Sequence, residues 1–178
     1  MAVIVEDGTG LTNSNSYVSE DELLDYADTR GVTLINPTTP LLVMATDWLE
    51  TKIFIGNKGS QNQALQWPRI PYSPVPLGTL SYAPLYTYPI YLTVDGYIIT
   101  ATMIPARLKK AQMEAAIQMD AGYDVNAVME QQVQSEQVGP IRVQYQDGST
   151  SQVYLPVAER VLRPLLAQGP GNIAVGRS

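Results

Sequence analysis

The chain has 178 residues, 45% of them hydrophobic and 16% charged, with a formal net charge of −6. That is enough for one domain with a real core, spanning residues 1–178. It holds no cysteine and no histidine, which excludes a disulfide framework, a thiolate metal site and an imidazole base.

The acid is concentrated at the start. Residues 1–50 carry Glu6, Asp7, Glu20, Asp21, Glu22, Asp25, Asp28, Asp47 and Glu50 against Arg30 alone, a net of −8 that leaves +2 for the other 128. Nucleic-acid binders draw most of their affinity from cations on phosphates, so a sequence pI near 4.5 argues against tight DNA binding. No window reaches the roughly 18 apolar residues of a membrane span, and MAVIVEDG lacks the basic start of a signal peptide. A protein made and kept in a cytoplasm is expected, with no membrane partner.

In chain order, Ala2–Glu6 is β-prone and ends in the turn Asp7-Gly8-Thr9-Gly10. The Gly8-x-Gly10 pair lacks the third glycine of a phosphate cradle, so a plain turn is expected. A helix is predicted over Ser19–Arg30, with Ser19 as cap, Glu22 as capping-box partner and Gly31 as a left-handed stop. Its apolar face is Leu23, Leu24, Tyr26 and Ala27, and its carboxylates form a solvated face. A second helix is predicted from Pro40 to about Phe54 with Thr39 as cap, burying Leu41, Ala45, Trp48, Leu49 and Ile53.

Residues 67–104 hold six tyrosines and six interior prolines with Arg69 and Asp95 as the only charges. The prolines forbid a helix. Arg69 to about Pro89 is expected to be an irregular arm, and Ile90–Val94 with Tyr97–Thr100 a hairpin about Asp95-Gly96. A third helix is predicted from Pro105 to about Ala121, with Leu108, Ala111, Ala115 and Met119 as its stripe, Ala116 alongside, and a Lys110–Glu114 pair. A second hairpin is expected from Val138–Gln146 and Ser151–Leu155 about Asp147-Gly148, while Glu130–Gln137 is too polar for core. The last helix, Pro156 to about Ala167, should bury Val157, Val161, Leu162, Leu165 and Leu166, with Pro164 kinking it or starting a fresh turn. The tail 168–178 has no reason for order in a monomer. The fold class is therefore mainly α within α+β: a compact bundle of about four helices, two β-hairpins, an extended Pro/Tyr-rich arm and an extended C-terminal tail.

The segments VEDGTGLTNSNSYVS, ATDWLE, QALQWPR, VDGYII, IPARLKKAQMEAA, SEQVGPIRVQY and VLRPLL together resemble the tailed-phage head–tail adaptor (neck or connector) proteins. Many of those carry a label as DnaT-like single-stranded DNA-binding proteins. The resemblance implies a subunit of a ring, twelvefold, beneath the portal of a capsid, assembled in the bacterial host cytoplasm and located in the virion neck. Its partners would be further copies of itself, the portal, and a tail-side or stopper protein. Double-stranded DNA would pass through the lumen without tight binding. No enzyme activity, catalytic residue, cofactor or metal is implied. About 23 residues, 70–92, stand where a short link is expected, making the arm an insertion into the family plan.

Tyr72, Tyr82, Tyr86, Tyr88 and Tyr91 in the arm, with Ile173 and Val175 in the tail, are the partner-interface candidates, since tyrosine buries area at low entropic cost. The alternative is a single-stranded DNA-binding protein, with the arm tyrosines as a stacking platform and Arg107, Lys109 and Lys110 as phosphate contacts.

Overall fold

A computed structural model describes residues 2–71, 92–123 and 155–167, and the backbone of 135–138 and 141–144. The elements in order are α1 (Glu20–Asp28), α2 (Thr38–Glu50), β1 (Asn57–Lys58), β2 (Arg69–Ile70), β3 (Leu92–Val94), β4 (Tyr97–Ile99), α3 (Ala106–Asp120), β5 (Ser135–Val138), β6 (Ile141–Gln144) and α4 (Pro156–Leu162), followed by a 3₁₀ turn (Arg163–Leu165). Four helices with antiparallel two-stranded ladders make an α+β fold, as composition and periodicity predict.

α3 is the central element, packed against α1, α2 and α4. Its fully buried Ala111, Ala115 and Ala116 let neighbouring backbones approach closely. Around it lie Tyr17, Leu23, Leu42, Leu49, Phe54, Trp67, Leu108, Leu155, Leu162 and Leu165, all buried. Each large apolar side chain there is worth roughly 1.5–3 kcal/mol relative to exposure.

α1 begins where its capping box places it. Ser19 Oγ accepts from the Glu22 amide at 3.1 Å, and Glu22 Oε2 accepts from the Ser19 amide at 2.9 Å. Gly31 follows at φ 66°. Its buried residues are Leu23 and Ala27, with Tyr26 at the margin; Leu24 instead faces solvent.

α2 starts earlier than expected. Pro37 is its N-cap, with no side-chain cap, and Thr39 lies inside the first turn. Pro40 therefore sits third in the helix, where the amide it lacks would have no intrahelical acceptor in any case. The helix stops at Glu50, so Ile53 leaves the buried stripe and stands exposed.

The β3–β4 hairpin turns at Asp95-Gly96 in the predicted register, pairing Leu92 with Ile99, Thr93 with Ile98 and Val94 with Tyr97. Both turn residues have positive φ, 53° and 81°, as a tight two-residue loop requires. The strand expected over Val138–Gln146 is divided. β5 pairs with β6 and Val138 faces Ile141 across the ladder, so the polar Ser135-Glu136-Gln137 run is itself strand and Val138 does not share one with Ile141. The predicted turn at Asp147-Gly148 lies outside the described residues. α4 ends at Leu162 and a 3₁₀ turn begins at Arg163, the fresh turn expected from Pro164. Leu162 and Leu165 are buried as predicted, but Val157 is exposed.

Candidate functional site

The most specific sequence piece, Gln63 to Arg69, builds the scaffold from which the 72–91 segment departs. Trp67 is fully buried with its ring edge-on to Phe54, centroids 6.0 Å apart at 82°. The Trp67–Pro68 peptide is cis. Trp67 Nε1 finds no hydrogen-bond acceptor among the described residues.

Arg69 is 7% exposed and is spent on backbone. Its Nε donates to Ile55 O at 2.7 Å, Nη1 to Gln66 O at 3.2 Å and Gln66 Oε1 at 2.7 Å, and Nη2 to Phe54 O at 3.3 Å and to Gly56 O. A five-donor guanidinium suits such a convergence of carbonyls. Gln63 acts likewise: Nε2 donates to Leu65 O at 2.8 Å and Pro68 O at 3.0 Å, while Oε1 accepts from the Ser60 amide at 2.8 Å.

Glu50 closes the other side. It accepts from Tyr17 Oη at 2.7 Å and the Gln66 amide at 2.9 Å, and the Trp67 amide donates to Tyr17 Oη at 3.2 Å. Burial pushes the Glu50 carboxyl above its usual range, against the pull of those donors and of Lys58 and Arg69. Burial and the neighbouring Glu50 charge push the Tyr17 phenol up, so it stays a donor.

These residues set where the segment's two ends stand. A Cβ placed on Gly56 (φ 75°) would lie 2.5 Å from Ile70 O and 3.3 Å from Leu92 Cδ1. The outgoing strand β2 and the returning strand β3 thus both lie against Gly56. On the same ribbon, the Ile55 amide donates to Leu165 O at 3.1 Å and the Ala167 amide to Ile53 O at 2.9 Å, with Phe54 bridging antiparallel to Leu166. The C-terminal end of the described chain therefore leaves beside the arm's root.

The nominated interface residues Tyr72, Tyr82, Tyr86, Tyr88, Tyr91, Ile173 and Val175 lie outside the described residues. The nominated DNA contacts Arg107, Lys109 and Lys110 do stand together at the start of α3, but two of them are engaged. Arg107 pairs with Asp95 in the hairpin turn, and Lys109 Nζ is 2.9 Å from Glu22 Oε1 on α1. Lys110 is exposed and does not pair with Glu114 as expected. Glu114 instead accepts from Tyr26 Oη at 2.6 Å and lies 3.8 Å from Arg30 Nε.

The Gly8/Gly10 turn has a feature the sequence did not disclose. Both glycines have positive φ, 96° and 79°, and the amides of Gly8, Gly10 and Leu11 converge at 3.0, 2.8 and 2.9 Å on the buried carboxylate of Glu6, joined by Ser14 Oγ at 2.9 Å. This is a backbone nest of the kind that binds anions, filled by the chain's own glutamate. Also invisible in the sequence is Gln112, fully buried on α3. It accepts from the Tyr17 amide at 3.0 Å and donates through Nε2 toward Ser16 Oγ (2.7 Å), Thr46 Oγ1 (2.9 Å) and Leu42 O (3.2 Å). It thereby joins the Ser16-Tyr17 segment, α2 and α3. The only hint was a glutamine on an apolar stripe.

Among the described residues no group of His, Cys, Asp or Glu side chains could hold a metal ion, and no helix is long and apolar enough to cross a membrane.

No curated protein and no solved structure matches the chain. One family model matches residues 1–75 and 87–178, so that only 76–86 stand outside it. Tyr72, Tyr88 and Tyr91 fall within the matched segments, and Tyr82 and Tyr86 between them. The buried Gln63, Trp67 and Arg69, the Glu6 nest and α3 all lie in matched sequence, and over that extent the chain belongs to the family described as "Putative DnaT-like ssDNA binding protein".

Proposed function

We propose that this protein is a structural head–tail adaptor of a tailed phage, a ring-forming neck subunit between the portal and the tail or stopper protein, with a lumen through which the genome passes. The observation that supports it most is the disposition of positive charge. Of the three cations gathered at the start of α3, Arg107 and Lys109 are already paired with carboxylates of the same chain, in a protein of net charge −6. A nucleic-acid binder gains affinity by releasing counterions from phosphates, which paired cations do poorly; a conduit for DNA should not grip it. The Gln63–Arg69 motif, for its part, fixes the root of an aromatic segment suited to a protein neighbour. The reading assigns no catalysis, cofactor or metal.

The test is the composition and symmetry of the particle. The chain should be found in purified virions, and with the portal it should form a closed ring by native mass measurement. A chain absent from virions, or monomeric in the portal's presence, ends the proposal.

The family description favours a second reading, single-stranded DNA binding. It requires that the full chain retard a labelled single-stranded oligonucleotide at about 50 mM salt and lose it steeply by about 200 mM. An Arg107→Ala, Lys109→Ala, Lys110→Ala variant should then bind more weakly with a shallower salt slope. No retardation at the lower salt removes this reading and leaves the first intact.

A further inference from the structure

Two helices of the bundle leave an outer face with apolar and charged residues side by side. On α1, Leu23 and Ala27 turn inward while Leu24 is 47% exposed, with Asp21, Asp25 and Asp28 exposed around it. None of those three carboxylates hydrogen-bonds or ion-pairs with a described residue. On α4 and its 3₁₀ extension, Ala158, Leu162 and Leu165 turn inward while Val157 is 42% exposed, with Arg160 and Arg163 exposed one and two turns along. Neither arginine pairs with a described residue. The nearest acid in sequence, Glu159, is taken by Lys52 at 2.6 Å.

The two faces are complementary in sign and alike in build, a single aliphatic side chain among charges of one sign. α4 packs on α3, and α1 on α2 and α3, which leaves both faces outward. We propose that Arg160 and Arg163 on the α4 face of one copy dock against Asp21, Asp25 and Asp28 on the α1 face of the next, with Val157 and Leu24 meeting at the centre. The inference rests on the adaptor reading in needing copies side by side, and names the surface by which they join.

Guanidinium groups form directed, two-pronged contacts with carboxylates. The central aliphatic contact excludes water around them. Complementary charge of this kind sets partner choice and register. Because the two patches are different parts of the chain, the contact is heterologous, and repeating it yields a ring or an open filament. The acidic α1 face repels phosphate, so the same geometry does not read as a nucleic-acid clamp.

Sedimentation velocity of the full chain, over protein concentrations up to the solubility limit, tests this at about 50 mM and about 500 mM salt, a range over which exposed pairs become strongly screened. Self-association is expected at the lower salt and should weaken at the higher. The pairs Arg160→Glu with Arg163→Glu and Asp21→Lys with Asp25→Lys should each weaken it by about tenfold or more. Mixing the two variants should restore it, because each supplies the face the other lacks and the altered faces also attract. Circular dichroism and thermal melts confirm that both variants are folded, since every substituted position is on the surface. Association unchanged by the swaps, or not restored on mixing, overturns this contact while leaving the adaptor reading in place. A wild-type chain that is monomeric alone at the lower salt overturns this contact, and one that stays monomeric with the portal as well overturns both.

Discussion

The sharpest consequence of the fold concerns Arg69. Replacing it with Ala leaves Phe54 O, Ile55 O, Gly56 O, Gln66 O and Gln66 Oε1 without the donor each now has. Hydrogen bonds to a charged group are worth about 1.5–3 kcal/mol each but do not add, and removing the charged member of a buried polar set costs about 3–5 kcal/mol. For a chain of this size each kcal/mol moves the melting midpoint by about 2–4 °C, so Arg69→Ala should melt roughly 10 °C lower. Glu50 loses a neighbouring cation as well, which adds to the penalty at neutral pH. Arg69→Lys retains one or two of the contacts and should fall between. Urea titration of the full chain, followed by tryptophan fluorescence, measures the change, since Trp67 and Trp48 both sit in the core. A loss of less than about 1 kcal/mol for Arg69→Ala would refute the view that this arginine ties the 54–56 ribbon to the Gln66 turn.

Gln112→Leu removes every partner noted above and strands the Tyr17 amide in the core; a loss of about 2–3 kcal/mol by urea titration is expected. Gly56→Ala places a Cβ 2.5 Å from Ile70 O at φ 75°, so one of the strands rooted there must move; about 2–4 kcal/mol of destabilisation is expected, with faster proteolysis between Ile70 and Leu92. Glu50→Gln keeps acceptors for Tyr17 and Gln66 while removing a buried charge. Because the folded-state carboxyl titrates above its unfolded value of 4.5, the wild type loses stability from this group as pH rises through the folded pKa. The variant should therefore gain on the wild type as pH rises from about 4.5 toward neutrality and lose that advantage below it, as melts across that range would show.

Sequence signals were sufficient where the determinant is local. The Ser19/Glu22 box and the Asp95-Gly96 turn act within four residues, and both stand where they were predicted. The start of α2 was misplaced because proline is acceptable throughout a helix's first turn, so Pro40 bounds the start without fixing it. The β5–β6 ladder was missed because Ser135-Glu136-Gln137 is polar, although a ladder asks only for backbone. The candidate DNA site was legible as a cluster but not as a paired one, since Lys109 meets a glutamate 87 positions away. Glu6, Gln63, Arg69 and Gln112 were missed as core because hydrophobicity is what announces burial. Each is buried only because other parts of the chain supply its partners.

That last group bears on what family membership can say about function. The most distinctive sequence of this chain, Gln63-Ala64-Leu65-Gln66-Trp67-Pro68-Arg69, buries Gln63 and Arg69 on backbone carbonyls, and the glycine turn that resembles a phosphate cradle is closed by Glu6. Both are occupied in holding this scaffold together, which leaves neither open to a ligand. A shared motif of this kind carries the fold from one member to another without carrying a ligand. Function has to be sought elsewhere in the chain: in the segment rooted at Gly56, in the sequence beyond Ala167, and in the oppositely charged faces of α1 and α4. Of these, the two helix faces can be tested first, because their charges can be exchanged without touching the core.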